Sequence, residues 1–228
     1  MNELIFLLYA FTVSSAALIA LRLGKEYLIS LVSVMGVLAN LFVMKQITLF
    51  GLTATASDAL AVGITLSLNL LQEFYTKAHA IKTIWVAFYC SLFFVCLSLL
   101  HLWYLPTLSD LSDAPFQLLL RPLPRILGAS FATFLLVQYT DAHLYGFLKD
   151  YFQDRFFVLR NYGSLMITQI LDTVLFSFLG LYKISAAYSD TAVMANIIIV
   201  SCTIKLLIIF VSVPYVRLAQ RFYPVSSS

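Results

Sequence analysis

Hydrophobic residues run along this chain in long continuous blocks, separated by short polar knots. About seven blocks approach the ~20 mainly apolar residues that a helix needs to cross a bilayer. They cover residues 4–21, 27–50, 57–75, 81–105, 124–148, 162–182 and 192–215; the third is short and polar at both ends. The blocks are continuous, whereas barrel strands would alternate, so the spans are expected to be helices. The pattern predicts an all-α integral membrane protein of about seven transmembrane helices, with residues 1–228 forming one membrane domain.

Composition sharpens that picture. The chain is 61% apolar and only 11% charged, against about a quarter charged in a soluble domain. Its mean hydropathy is +0.93. The net charge of +3 is no nucleic-acid footprint, because the basic residues sit at span ends instead of on one face. Met1-Asn2-Glu3 carries no Lys or Arg ahead of the first block, while Arg22 and Lys25 follow it. A cleavable signal has the opposite charge order, so the first block is expected to stay as a span. Cys90, Cys96 and Cys202 lie in apolar blocks without a CxxC, which fits small apolar residues better than a disulfide or metal site.

Lys and Arg then orient the chain. With seven spans, one side receives Arg22, Lys25, Lys77, Lys82, Lys149, Arg155, Arg160, Arg217 and Arg221, and the other Arg121, Arg125 and Lys183. The imbalance is about three to one, which predicts an outside N-terminus and a cytoplasmic C-terminus. The loop with Asp110, Asp113, Pro106, Pro115 and Pro122 is then external, and its Phe116–Leu120 stretch is expected along the interface.

Charges inside the blocks carry the functional signal. Asp172 and Lys205 each lie deep in an apolar run, where a centred charge costs roughly 2.5–3.5 kcal/mol even on permissive scales. Helical spacing groups further polar residues on shared faces: Gln169, Asp172 and Thr173; Ser130, Gln138 and Asp141; Thr65, Asn69, Gln72 and Glu73; Ser201 and Lys205. Asn40, Lys45 and Gln46 lie in the second block. Single hydroxyls and amides are read first as interhelical glue, at about 0.6 kcal/mol per hydrogen bond, and a structural Asp172–Lys205 pair stays open. Polar stripes on at least four spans exceed what packing requires, and together they predict a hydrophilic cavity of the kind a carrier needs.

Enzyme readings fare worse. Asp141 and Asp172 on successive spans suit an intramembrane aspartyl protease, yet no GxGD precedes Asp172. HExxH, GxSxG and phosphate-binding glycine loops are missing, and His79, His101 and His143 are isolated in the sequence, so no cofactor or metal is expected. No pore-loop filter sequence supports a channel.

The order of motifs resembles the queuosine precursor transporter family, also called the vitamin uptake transporter family, of bacterial inner membranes. The resemblance begins at Asn40 with Lys45-Gln46, similar to an N-x-x-x-x-K-Q segment. It continues through Leu70-Leu71-Gln72-Glu73-Phe74-Tyr75, then Arg125 with Ala129-Ser130, then Gln138 and Asp141. Ser164, Gln169, Asp172 and Thr173 match S-x(4)-Q-x-x-D-T, and Lys205 matches a lysine of the last helix. Two positions depart: Asn69 stands where the family usually has Asp, and Thr76 where it has Gly. Residues 27–222 then form a six-helix transporter core, with residues 1–22 an added N-terminal helix.

The resemblance implies import of a 7-deazaguanine for tRNA modification: the 7-cyano compound, its aminomethyl derivative or queuine. The bilayer is the other expected partner, nucleic acid is not, and a homodimer is left open. A guanine-like ring presents two N–H donors on one edge, which a carboxylate accepts with charge-assisted geometry. Asp172 is the first choice for that acceptor and Glu73 the second. Gln169 and Asn40 suit the carbonyl and ring nitrogens, aromatic residues a stacking wall, and Lys205 the charge balance of Asp172. Gln138, Asp141, Lys45, Arg125, Thr173 and Asn69 complete the candidate set. Two alternatives remain: a substrate-binding subunit of an energy-coupling-factor importer, for which Ala16 and Ala20 offer a weak small-residue docking pattern, and a membrane enzyme or assembly factor.

Overall fold

In the computed structural model, which describes residues 1–107, 109–151 and 157–222, the apolar blocks become helices. These are α1 (Asn2–Leu23), α2 (Lys25–Phe42), α3 (Asp58–Phe74), α4 (Lys77–His101), α5 (Asp113–Leu120), α6 (Leu123–Tyr151), α7 (Phe157–Phe176) and α8 (Thr191–Phe222). Five described stretches are long and apolar enough to cross a membrane: Asn2–Leu23, Lys25–Phe42, Lys77–His101, Asp113–Val137 and Thr191–Ile208. The helix of 17 residues at α3 and the apolar stretch Met166–Leu181 are shorter. Large apolar side chains such as Leu8, Phe11, Tyr89 and Leu207 point outward, as lipid-facing surfaces do. The chain is a multi-pass membrane protein.

Close packing ties the first helix to the others. The chain reverses between α1 and α2 at Gly24, whose φ of 126° suits glycine. A Cβ on Gly63 would stand 2.8 Å from both Val13 and Met35, so α3 touches α1 and α2 where only a hydrogen fits. Ala17, Leu28, Leu70, Leu71, Ala80 and Ala219 bury together, joining five helices at one end. Tyr215 Oη donates to the Ser14 carbonyl at 2.7 Å, fixing α8 to α1. Thr76 is extended and caps α4 by accepting from His79 N at 3.3 Å.

One expectation is corrected. The second block does not continue as a helix to residue 50: α2 ends at Phe42 and an antiparallel hairpin follows, β1 (Gln46–Leu49) with β2 (Leu52–Thr55). The fold is therefore helical with one small sheet. Leu49 pairs with Leu52, leaving a two-residue loop, and Phe50 and Gly51 both take positive φ (52° and 80°), as a type I′ turn requires. Tyr188 Oη donates to the Val43 carbonyl at 2.7 Å, satisfying an acceptor beyond the helix end. Burial pushes the Tyr188 hydroxyl up to about 12, so it stays protonated and donating at neutral pH. At the hairpin tip, Phe50 N donates to Glu3 Oε1 at 3.1 Å and Asn2 Nδ2 to the Thr48 carbonyl at 3.0 Å. Leu49 and Ala54 bury against Val200 of α8. Irregular backbone between spans is tolerated when its polar groups are paired and covered by protein in this way.

The end of α7 is also irregular. Residues Ser177–Leu181 wind as a wide π turn, a feature that often marks functional sites. Arg125 of α6 donates through Nε to the Leu179 carbonyl at 3.1 Å and through a terminal nitrogen to the Tyr182 carbonyl at 2.5 Å. These bonds satisfy carbonyls at the terminus and hold α6 against it.

Candidate functional site

A cavity of about 410 Å³ opens between α2, the hairpin, α3, α4, α6, α7 and α8. That volume lies within the roughly 300–1,000 Å³ of small-molecule sites. Its polar wall contains Asn40, Thr55, Asp58, Gln169, Asp172 and Lys205, and Phe134 and Phe176 provide aromatic faces. A smaller space of about 160 Å³ adjoins it, since Asn40, Ile84, Ser130 and Phe134 line both. There Trp85 packs edge-on against Phe88, Phe131 and Phe134, and Phe88 stacks on Phe131 with centroids 4.4 Å apart. Asn40 Nδ2 donates to Ser91 Oγ at 3.4 Å where the two spaces meet.

The cavity lies at depth. Ser201 and Lys205 follow the start of α8 at Thr191 by ten and fourteen residues, about 15 and 21 Å at 1.5 Å per residue. That reaches the middle of a ~30 Å hydrocarbon core.

Lys205 Nζ donates to Asp172 Oδ2, joining α8 to α7. Side-chain exposure of 21% and 32% keeps both groups open to the cavity. Thr173, one residue on, is buried and donates to the Gln169 carbonyl at 2.9 Å. Thr173 thereby turns its hydroxyl inward along its own helix, while the Gln169 side chain faces the cavity.

A second carboxylate shares the wall. Asp58 begins α3, where the helix dipole favours an anion, and is 7% exposed. Its Oδ2 accepts from Thr55 N at 3.3 Å and Thr55 Oγ1 at 3.2 Å. Ser201 Oγ lies 2.9 and 3.1 Å from its two oxygens. In the sequence Asp58 stands beside Ser57 at the edge of an apolar block, where a charge usually meets water, so nothing there marks it as buried. The available signal was a carboxylate inside a span-length run. Without the hairpin, its depth was invisible.

The structure brings together Asn40, Gln169, Asp172, Thr173 and Lys205 on this wall. It places four other candidates elsewhere. Glu73 is at the exposed end of α3, accepting from Gln220 Nε2. Asn69 lies past Leu68, the last α3 residue on the wall, and is half-buried outside it. Lys45 is exposed beside the hairpin, its carbonyl accepting from Ala56 N at 2.9 Å. Arg125 is engaged at the π turn. The side chains of Gln138 and Asp141 lie outside the described residues, as does that of Ser164.

Comparisons with known proteins agree with the geometry. The family described as "Putative vitamin uptake transporter" matches residues 55–219. The chain is 32% identical over 205 residues to the "Probable queuosine precursor transporter" of Bacillus subtilis (strain 168), covering 88% of this chain and 86% of that one. No solved structure matches. With a mid-membrane polar cavity and a match that runs from β2 almost to the end of α8, the chain belongs to the vitamin uptake transporter family, that of the queuosine precursor transporters.

Proposed function

We propose that this protein imports a queuosine precursor, a 7-deazaguanine, across the bacterial inner membrane for tRNA modification. The observation that carries this reading is the Asp172–Lys205 pair on the wall of a cavity sized for a small molecule. The relative's name supplies the substrate class. Asp172 accepts the two N–H groups on the guanine-like edge, and that contact replaces its bond from Lys205. Gln169 and Asn40 read the ring carbonyl and nitrogens, and Phe134 and Phe176 stack on its faces. Thr173 holds the backbone around Asp172 and Gln169. The N-terminus lies outside and the C-terminus in the cytoplasm, following the excess of Lys and Arg on one side. Helix movements about the mid-membrane site then expose it to either face in turn.

The test uses a bacterium unable to make or import queuosine precursors and expressing this protein. Each base is supplied singly, and queuosine in tRNA is measured. Restoration by at least one of them is expected. Restoration by none would discard the substrate class.

A further inference from the structure

The binding scheme above leaves Asp58 unused. Asp58 is not a docking group: its carboxylate is already engaged by Thr55 N, Thr55 Oγ1 and Ser201 Oγ, which nearly fills the acceptor sites of two oxygens. All of these partners are neutral, so they stabilise a negative charge without cancelling it. Ser201 stands one helical turn from Lys205, so the two carboxylates flank the same ammonium, Asp172 by direct contact and Asp58 across the Ser201 turn.

Among the described cavity-lining residues the charged side chains are Asp58, Asp172 and Lys205, two anions to one cation. That described lining carries a formal charge of −1. An unbalanced charge in a low-dielectric interior is costly until a counter-charge arrives. A ligand that carries its own cation gains from that imbalance, and a neutral ligand of the same shape does not.

We propose that Asp58 is a specificity-determining residue, whose charge makes the cavity select planar bases bearing a protonated amine. On the deazaguanine reading, which this inference rests on, the aminomethyl derivative and queuine are favoured over the neutral 7-cyano compound. Asp172 reads the ring edge common to all three, and Asp58 acts through its field on the side arm that distinguishes them.

The experiment measures binding of the aminomethyl and cyano compounds to the purified full-length protein in nanodiscs, by titration calorimetry at neutral pH. The wild-type protein is expected to bind the amine at least ten times more tightly than the nitrile. Asp58→Asn should shrink that ratio to within about threefold by weakening the amine alone, and Asp58→Glu should retain it. A merely structural role would weaken both ligands together, and that result overturns the proposal. Equal binding by the wild-type protein, or a preference for the nitrile, overturns it too, whether or not the variants fold. Both of those results leave the deazaguanine reading intact. Binding of neither compound removes that reading and the charge selectivity with it.

Discussion

The two ends of α3 each carry a carboxylate, and they lead opposite lives. Asp58 and Glu73 are fifteen residues apart on one helix, about 22 Å along its axis. Asp58 stands at the N-terminus, buried, ringed by hydroxyl and amide donors and facing the cavity. Glu73 stands in the last turn, exposed, with Gln220 beside it. The helix dipole favours the first anion and disfavours the second. Motif resemblance pointed to Glu73, because it lies in a block similar to the family's. Solvation points to Asp58. A carboxylate held at depth by dedicated donors has been paid for elsewhere in the fold, whereas one at a wet helix end needs no justification.

Variants can break this contrast, and Asp172→Ala should have the largest effect. It leaves Lys205 without its carboxylate partner and removes the proposed ring acceptor. Uptake, followed as queuosine in tRNA, is expected to fall more than tenfold while membrane levels measured by immunoblot stay near normal. Near-normal uptake would reduce the pair to a structural tie.

Asp58→Ala comes next. It strands the Thr55 amide and the Ser201 hydroxyl, and an unsatisfied buried donor costs roughly 1–3 kcal/mol. Thermal unfolding in detergent should shift downward, together with a several-fold loss of uptake. Gly63→Ala, five residues on from Asp58 in α3, tests packing alone: its methyl would meet Val13 and Met35 at 2.8 Å. Overpacking typically costs about 1–3 kcal/mol, so the unfolding midpoint should drop while uptake per folded molecule holds. Glu73→Gln should do least, with uptake within about twofold of wild type. A large loss there would return the site to the C-terminal end of α3.

The helices were legible because lipid forces a simple code: a long apolar block must satisfy its own backbone, and a helix does so. Asp172 and Lys205 were legible for the same reason, since lipid leaves a lone charge nowhere to go. The hairpin was not. Val43, Ile47, Leu49 and Leu52 are as apolar as the helix they follow, and hydropathy does not separate a covered strand from a helical turn. Thr48, Thr53 and Thr55, with Gly51 after Phe50, carried the strand signal, and a seam of β-branched residues inside an apolar run is easily absorbed into a span. Missing the hairpin hid Asp58, since the hairpin is what sets the start of α3 beside the middle of α8. The contacts of Arg125 were not legible either: its place in a recognisable pattern says nothing of the carbonyls of a loosened helix end, which the structure has it engage.

On the proposed binding scheme, the bond between Lys205 and Asp172 also bears on how tightly a cargo is held. An unloaded transporter whose lysine already occupies its best acceptor resembles a clasp fastened on itself. Whatever enters must first undo that clasp, and the effort is subtracted from its grip. Cargo held loosely in this way leaves readily on the far side, and the refastened lysine then readies the vacant protein for its return.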